Sequence, residues 1–470
     1  MISRGRVIGL IRRGSIPSIS TTTTTMSTGM SVTFLGTSSG GGPSETRNCS
    51  SLVCDMLADG SLWMVDCAEG TARQFSLQPQ GPSHLRMMKI SKIFITHMHA
   101  DHIMGIVPLL RNILFPPSIG PPKANHAPPR AVEIYGPAGI RLFVRQIMKM
   151  TLTRTSDTYV VHEMLRAEDT VTPCNPPAPS TNPDSHLTGQ PDVLHSRELP
   201  GRDIRASSDG FWLGITQGRG RSTPVVVNAG PINHRDPCLG YTFTETSFPF
   251  RKLVILGDTY DPSPMIPLCI NPSPSLLVHE ATDSHISHHV DNTGKLSART
   301  PAEVLERALA RGHSVPEMAG AFAKLIGARD LVLNHIGGRF PAPRNPHDHF
   351  RIRVMLDIES HATKAWGSGK LAIAAFDFMR FEVPHHPRVN AQLVEEAEVE
   401  EMDVWETEVY AEPTAATPVY RGGHRGRRGG FHRGRHPKPM GRQDPGHGSR
   451  AGQSGGGQGS SQGGDKKRRK

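Results

Sequence analysis

The chain has 470 residues, enough for one large domain with appendages or for two ordinary domains. Hydrophobic residues make up 36% and aromatics 6%, beside 48 Gly and 40 Pro, a mixture that gives a real core carrying a good deal of unstructured chain. No apolar run approaches the ~20 residues of a membrane-spanning helix, so no membrane partner is expected, and six cysteines without a CxxC pair read as buried or free thiols in a reducing compartment.

The net charge of +10 is unevenly placed. Residues 421–470 hold 14 Lys/Arg against two acids, leaving 39 basic and 41 acidic side chains in the other 420 residues. At the other end, the first 44 residues contain Arg4, Arg6, Arg12 and Arg13, many Ser and Thr, and no acid. Arg- and Ser-rich, acid-poor composition without a clean apolar stretch is the mark of a mitochondrial transit peptide, so residues 1–30 are read as a leader. A plain disordered leader, with a nuclear or cytoplasmic address, is the alternative; Met26 and Met30 are alternative starts.

A strand-like run at 31–35 opens the folded region, followed by a Gly-rich turn at 36–42. Lys92-Ile-Phe-Ile-Thr96 reads as a buried strand, and the spacing of Ile103, Ile106, Leu109, Leu110 and Ile113 predicts a helix after it. Between residues 163 and 225 the pattern breaks down, and the Pro-, Asn- and Ser-rich stretch 172–200 reads as an inserted loop. Regular elements resume and run to about Val383. Leu253-Val-Ile-Leu256, Leu276-Leu-Val278 and Leu331-Val-Leu333 are further buried strands of a layered α/β protein. Thr300-Pro-Ala-Glu303 and Ser314-Val-Pro-Glu317 each carry a helix-start signature, and Gly327 ends the second helix. The catalytic domain is thus expected over 31–385, an acidic linker over 386–420 (nine acids within 395–412), and a disordered RGG-like tail over 421–470.

Each of the four buried strands leads into a residue able to bind metal or move a proton: His97, Asp258, His279-Glu280 and His335. The sharpest cluster is His97-Met-His99-Ala-Asp101-His102. Three imidazoles and a carboxylate within six residues cannot all find buried partners in a core. Residues two apart at a strand end point to the same side, so His97 and His99 can share one metal, while Asp101 and His102 address a second. On spacing alone, His234 reads as a surface histidine, Asp258 equally as a turn cap or a functional carboxylate, and Glu280 with His313 as a functional pair, with an ordinary buried ion pair the alternative. His285, His288, His289, His347 and His349 read as solvated loop residues.

H-x-H-x-D-H after an apolar strand resembles the metallo-β-lactamase superfamily, and the surrounding blocks resemble tRNase Z, the tRNA 3′-end processing endonuclease. Those blocks are Phe34-Leu-Gly-Thr37 with Pro43-Ser-Glu-Thr-Arg-Asn48, Val65-Asp66-Cys-Ala-Glu69-Gly-Thr71 with Gln74, Tyr135-Gly-Pro137-Ala-Gly139, His234 before Gly240-Tyr241, and Gly257-Asp258-Thr259. His279-Glu280-Ala-Thr282 and Gly312-His313-Ser314 resemble the paired motifs peculiar to that family. The resemblance covers about residues 31–345. It implies a four-layer αββα sandwich with disordered extensions at both ends. It also implies two Zn2+ ions, with Mn2+ the alternative: His97, His99 and His234 on one, Asp101, His102 and His335 on the other, and Asp258 bridging. A hydroxide between the metals would attack the phosphodiester, Asp101 would accept its proton, and His313, oriented by Glu280, would protonate the leaving 3′ oxygen. The implied substrate is precursor tRNA, the implied assembly a homodimer.

Only 15 residues separate Tyr241 from Gly257, too few for the tRNA-gripping arm that many members carry there. Val315 and Ile336-Gly-Gly-Arg339-Phe340 also depart from the family pattern. A smaller-substrate hydrolase acting on a phosphodiester or sulfate ester is the second reading, and a non-catalytic RNA-binding protein the third. The Gly/Arg tail offers a replacement for the arm, since arginines on a flexible backbone bind phosphates and stack on bases. Deleting residues 415–470 is expected to weaken RNA binding and flatten its salt dependence in a filter-binding titration; unchanged affinity at low salt would remove the tail from the docking surface.

Overall fold

The computed structural model describes residues 29–114, 131–176 and 193–383. The leader as far as residue 28, the acidic linker and the basic tail lie outside the described residues.

Two sheets carry the structure, and the alternation of apolar side chains explains why they stack. In Met30–Gly36, Met30, Val32 and Phe34 enter the core between the sheets, whereas Leu35 faces the opposite side. The first sheet runs Arg380–Val383, Met30–Gly36, Ser51–Asp55, Leu62–Val65, Ile90–Phe94, Ala131–Pro137 and Thr158–Leu165, with Glu198–Leu199 and Asp203–Arg205 both paired to the last of these. The second runs Trp212–Gly218, Val225–Ile232, Cys238–Glu245, Lys252–Leu256, Leu276–Glu280, Leu331–Asn334 and Ile373–Ala374. Each sheet begins antiparallel and becomes parallel, from Leu62–Val65 onward in the first and from Lys252–Leu256 onward in the second. The four apolar runs expected to be strands are all parallel strands, and their carboxyl ends are where such sheets gather polar groups.

Between the sheets lies an aromatic block. Phe94 touches Trp63, Tyr135, Tyr241 and Phe243 at ring-centroid distances of 5.2–5.7 Å, in stacked and edge geometries that add to plain area burial. Helices Ile106–Ile113 and Ile140–Met150 cover the outer face of the first sheet; Pro316–Leu325 and His349–Trp366 cover that of the second. The order is helix, sheet, sheet, helix, the αββα sandwich of the metallo-β-lactamase fold.

Two expectations change. The segment from 163 to 225 is not wholly an inserted loop: it contains Glu198–Leu199, Asp203–Arg205 and the full-length edge strand Trp212–Gly218. Its hydrophobic pattern is weak because these edge strands bury few side chains, as the exposure of Leu199, Leu213 and Gly214 shows. The second helix-start signature also fails in part. Thr300 forms the full capping box with Glu303, but the cap of Pro316–Leu325 is Val315, because the Ser314 hydroxyl instead donates to the Thr259 carbonyl at 2.5 Å. The hairpin Cys238–Glu245/Lys252–Leu256 closes over residues 246–251, leaving no room for an arm.

The edge strands are tied down by buried cations spaced four apart on one helix. Arg141 donates to the Val161, Thr172 and Arg202 carbonyls, Arg145 forks onto Glu198, and Lys149 donates to the Val193 carbonyl. Arg145 and Glu198 are both essentially without solvent exposure. Glu198→Ala, which removes the carboxylate from a buried guanidinium, is expected to cost about 3–5 kcal/mol in urea unfolding. The Arg145→Met/Glu198→Leu double variant is expected to recover most of that loss.

Candidate metal centre

The parallel strands of both sheets end in one place. Beyond Ile90–Phe94 the chain turns through Thr96, whose N–H donates to Asp66 Oδ1 at 2.8 Å and whose hydroxyl donates to Asp66 Oδ2 at 2.9 Å. The next residues, His97 to His102, wrap the site, and the short helix Ala100–Ile103 begins within them. Asp258 follows Lys252–Leu256, Glu280 ends Leu276–Glu280, and His335 follows Leu331–Asn334. His234 comes from the loop after Val225–Ile232, and His313 from the turn after helix Pro301–Ala310. Tyr241 from the second sheet donates to the Ile95 carbonyl of the first at 2.6 Å, joining the two halves directly beneath the cluster.

All seven expected ligands come together. One set of ligand atoms comprises His97, His99, His234 and Asp258, another Asp101, His102 and His335, each set within 4.8 Å; Asp258, His313 and His335 form a third. Asp258 faces both halves: Oδ2 lies 3.6 Å from His97 Nε2, while Oδ1 lies 3.4 Å from His102 Nε2 and 3.3 Å from His335 Nε2.

The surrounding hydrogen bonds fix which nitrogen of each ring looks inward. The Thr96 hydroxyl spends its proton on Asp66, so at 3.0 Å it must accept from His97 Nδ1, leaving a lone pair on Nε2. His99 Nε2 donates to Asp236 at 2.8 Å, freeing Nδ1. His102 Nδ1 donates to Asp66 at 2.7 Å. The Thr282 hydroxyl donates to Glu280 and accepts from His335 Nδ1 at 2.9 Å. His234 Nδ1 donates to the Gly312 carbonyl at 2.6 Å, and its buried Nε2 has no partner. Inward lone pairs therefore meet at 2.8 Å (His97 with His99) and 3.3 Å (His102 with His335), separations that two acceptors tolerate only with a cation or proton between them. Imidazole and carboxylate donors, oriented by carboxylates, hydroxyls and a carbonyl, fit divalent zinc-type ions.

The electrostatics agree. Burial and the neighbouring His102 hold His97 well below the usual histidine range, and burial also lowers His234. Burial works against His102, yet Asp258 and Asp66 lift it well above 6.5, so a positive charge belongs at that position whether a proton or a metal supplies it. Burial would raise Asp258 and Asp101; His335 and His102 outweigh it, and both carboxylates stay ionised.

Beside this cluster, His313 Nδ1 sits 3.2 Å from Glu280 Oε1 and 3.8 Å from Asp258 Oδ2. Burial would lower His313, but Glu280 raises it above its ordinary value. Glu280 is itself held by the Thr259 N–H at 2.6 Å and by Thr282. His279 is turned away into the core against Phe322. His288, His289, His347 and His349 are exposed, as expected, and His285 is half-buried.

Several working residues escaped the sequence reading. Asp66, at φ +56°, is the common partner of Thr96 and His102; Asp236 orients His99. The spacing His234-Arg-Asp236 was a usable signal for the latter. Asp377 accepts from Thr37 Oγ1, the Asn48 N–H and Gln74 Nε2 at 2.7–2.8 Å, although burial lifts its carboxyl to about 6. It thereby anchors the Gly-rich turn, whose Gly40 N–H donates to Asp101 Oδ2 at 2.7 Å. Nothing in the local sequence around Asp377 marks that role. A separate groove of about 740 Å3, around Lys92, Glu133 and Arg202, shares no residue with the cluster.

Fold and site together define a metal-dependent hydrolase of the metallo-β-lactamase fold. A family profile described as Anti-Pycsar protein Apyc1 matches residues 30–123. The chain is 30% identical over 361 residues to zinc phosphodiesterase ELAC protein 1 of Bos taurus, covering 66% of this chain and 87% of that protein. It is 30% identical over 372 residues to ribonuclease Z of Gloeothece citriformis, covering 76% and 97%. Among solved structures it resembles the short form of human tRNase Z, at 29% identity and a TM-score of 0.48, covering 75% of this chain and 99% of that one. The chain belongs to the tRNase Z family.

Gly312 bears on the metal set directly. At φ +80° it accommodates no ordinary side chain, and a Cβ there would lie 2.7 Å from His234 Nδ1. Gly312→Ala is expected to lower zinc affinity by about 10- to 100-fold in calorimetric titration of the metal-free protein, with an unchanged far-UV CD spectrum.

Proposed function

We propose that this protein is a zinc-dependent endoribonuclease that removes the 3′ trailer from precursor tRNA. The observation that carries the reading is the Glu280–His313 pair standing 3.2 Å apart beside Asp258, next to a cluster of seven residues that could hold metal. Its relatives' printed names, zinc phosphodiesterase and ribonuclease Z, support the same chemistry.

In this reading His97, His99 and His234 would hold one Zn2+ ion and Asp101, His102 and His335 a second, with Mn2+ the alternative and Asp258 within reach of both groups. When bound, such ions supply a nucleophile at neutral pH and compensate the charge of the phosphate. The residues do the rest. Asp101, ionised and steadied by the Gly40 N–H, accepts the proton of the attacking water. His313, whose hold on its proton Glu280 strengthens, delivers a proton to the leaving 3′ oxygen. The products are a 3′ hydroxyl on the tRNA and a 5′ phosphate on the trailer. Neutral His97 and His234 keep their inward nitrogens free for the metal rather than for protons.

The short 246–251 turn leaves the tRNA to be docked elsewhere, and the basic tail is the segment with the charge for it. The acid-free leader supports mitochondrial delivery, and the family resemblance supports a homodimer.

Incubation of purified protein with a 3′-extended precursor tRNA is expected to give a cut near the discriminator base, abolished by chelation and restored by zinc. Asp101→Ala is expected to be inactive and His313→Gln slower by about 10²–10⁴-fold. Turnover of bis(4-nitrophenyl) phosphate without any cut in the precursor would transfer the site to a small-diester substrate.

A further inference from the structure

A cavity of about 360 Å3 lies beside the metal-type cluster, sharing His99 with it and taking His99's partner Asp236 into its wall. Its other walls are largely apolar, from Met98, Pro137, Met164, Trp212 and Leu239. Trp212, Met164 and Leu239 are at most 2% exposed, so the floor is fixed by the core and not shaped by mobile side chains. The volume falls within the ~300–1,000 Å3 of small-ligand sites, and an apolar slot with polar groups at its edge is what a flat heteroaromatic ring needs. Arg166 and Asp169 supply such groups: the Arg166 N–H donates to Asp169 Oδ2 at 2.7 Å, holding the turn against the cavity.

Four of these residues, Met164, Arg166, Asp169 and Trp212, come from the 163–225 segment, the stretch in which the sequence pattern breaks down. That segment thus builds part of a wall of the active-site cleft.

Resting on the proposed RNA cleavage, we propose that this cavity receives the first nucleobase of the trailer, immediately 3′ of the cut. The direction follows from the role proposed for His313. His313, placed at the leaving 3′ oxygen on the tRNA side, lies 5.1 Å ring to ring from His234; His99 lies 5.1 Å from His234, toward the cavity. With the tRNA ribose held at His313, the phosphate's remaining ester arm, the 5′ oxygen of the first trailer nucleotide, runs toward His99. Its base then enters the slot, stacking on Met98 and the Pro137 edge, and Arg166 faces the following phosphate. Apolar stacking of this kind tolerates any base, because every base has a π face.

The test compares two precursor tRNAs identical except that the first trailer nucleotide carries its base in one and is abasic in the other. Wild-type protein is expected to cut the base-bearing precursor with a kcat/KM about tenfold or more above the abasic one. Ala138→Phe, which fills the slot from a half-buried position in its wall, is expected to erase that ratio. Equal rates for the wild type on both precursors would overturn the proposal, whatever the variant does; so would an Ala138→Phe protein that still cuts and keeps the full ratio. A wild type that cuts neither precursor while turning over bis(4-nitrophenyl) phosphate would sink the RNA-cleavage reading and this proposal with it. That pattern is distinct from equal cleavage of both precursors.

Discussion

Lone pairs of buried imidazoles repel, and the architecture around the cluster exists to hold five of them against that repulsion. His97 and His99 face each other at 2.8 Å, His102 and His335 at 3.3 Å, with two ionised carboxylates beside them. Each ring is fastened from behind by a hydrogen bond that uses up its outer nitrogen. Those outer partners come from five separate places: Thr96 after Ile90–Phe94, Asp66 after Leu62–Val65, Asp236 beyond His234, Thr282 beyond Glu280, and the backbone of Gly312. The site is thus prepared for cations before any arrives, and the cost of that preparation is borne by the packing of two sheets.

The sheets explain how so much like-charged chemistry can be held in one spot. Parallel strands of both sheets end at the same edge of the sandwich, so residues more than 200 positions apart become neighbours without a long loop. Asp101 and His335, 234 positions apart in sequence, meet at 3.4 Å. Tyr241 stitches the halves together under the cluster, and the aromatic block around Phe94 keeps that stitch from sliding. Two contacts meet at Glu280, which pairs with His313 through one oxygen and, through Thr282, sets the tautomer of His335 with the other.

The segment from 163 to 225 shows how composition misleads. Pro, Asn and Ser density marks a loop, and part of it is one, but buried Arg141, Arg145 and Lys149 hold the Glu198–Leu199 and Asp203–Arg205 part against the first sheet, while Trp212–Gly218 joins the second. An arginine in the sequence of an amphipathic helix reads as its solvated face. Its burial against Glu198 becomes visible only when the two elements, some 50 residues apart, are seen packed together.

What the sequence determined by itself was local or periodic: the four buried strands, the capping box at Thr300, and the H-x-H-x-D-H cluster, whose density left metal binding as the natural reading. Resemblance then picked out His234, Asp258, His335, Glu280 and His313, which spacing alone could not have joined. Tertiary structure alone decided the rest. Asp66 and Asp236 lie in or beside marked motifs that gave them no role, Asp377 lies in none, and the work of all three depends on partners brought from elsewhere in the fold. Gly312 matters because its carbonyl and its missing Cβ meet His234, and Trp212 because the strand that carries it closes a cavity beside His99. Covalent neighbours fix which elements form; distances between non-neighbours fix which lone pairs, protons and cavities face each other, and one-dimensional spacing does not carry that information.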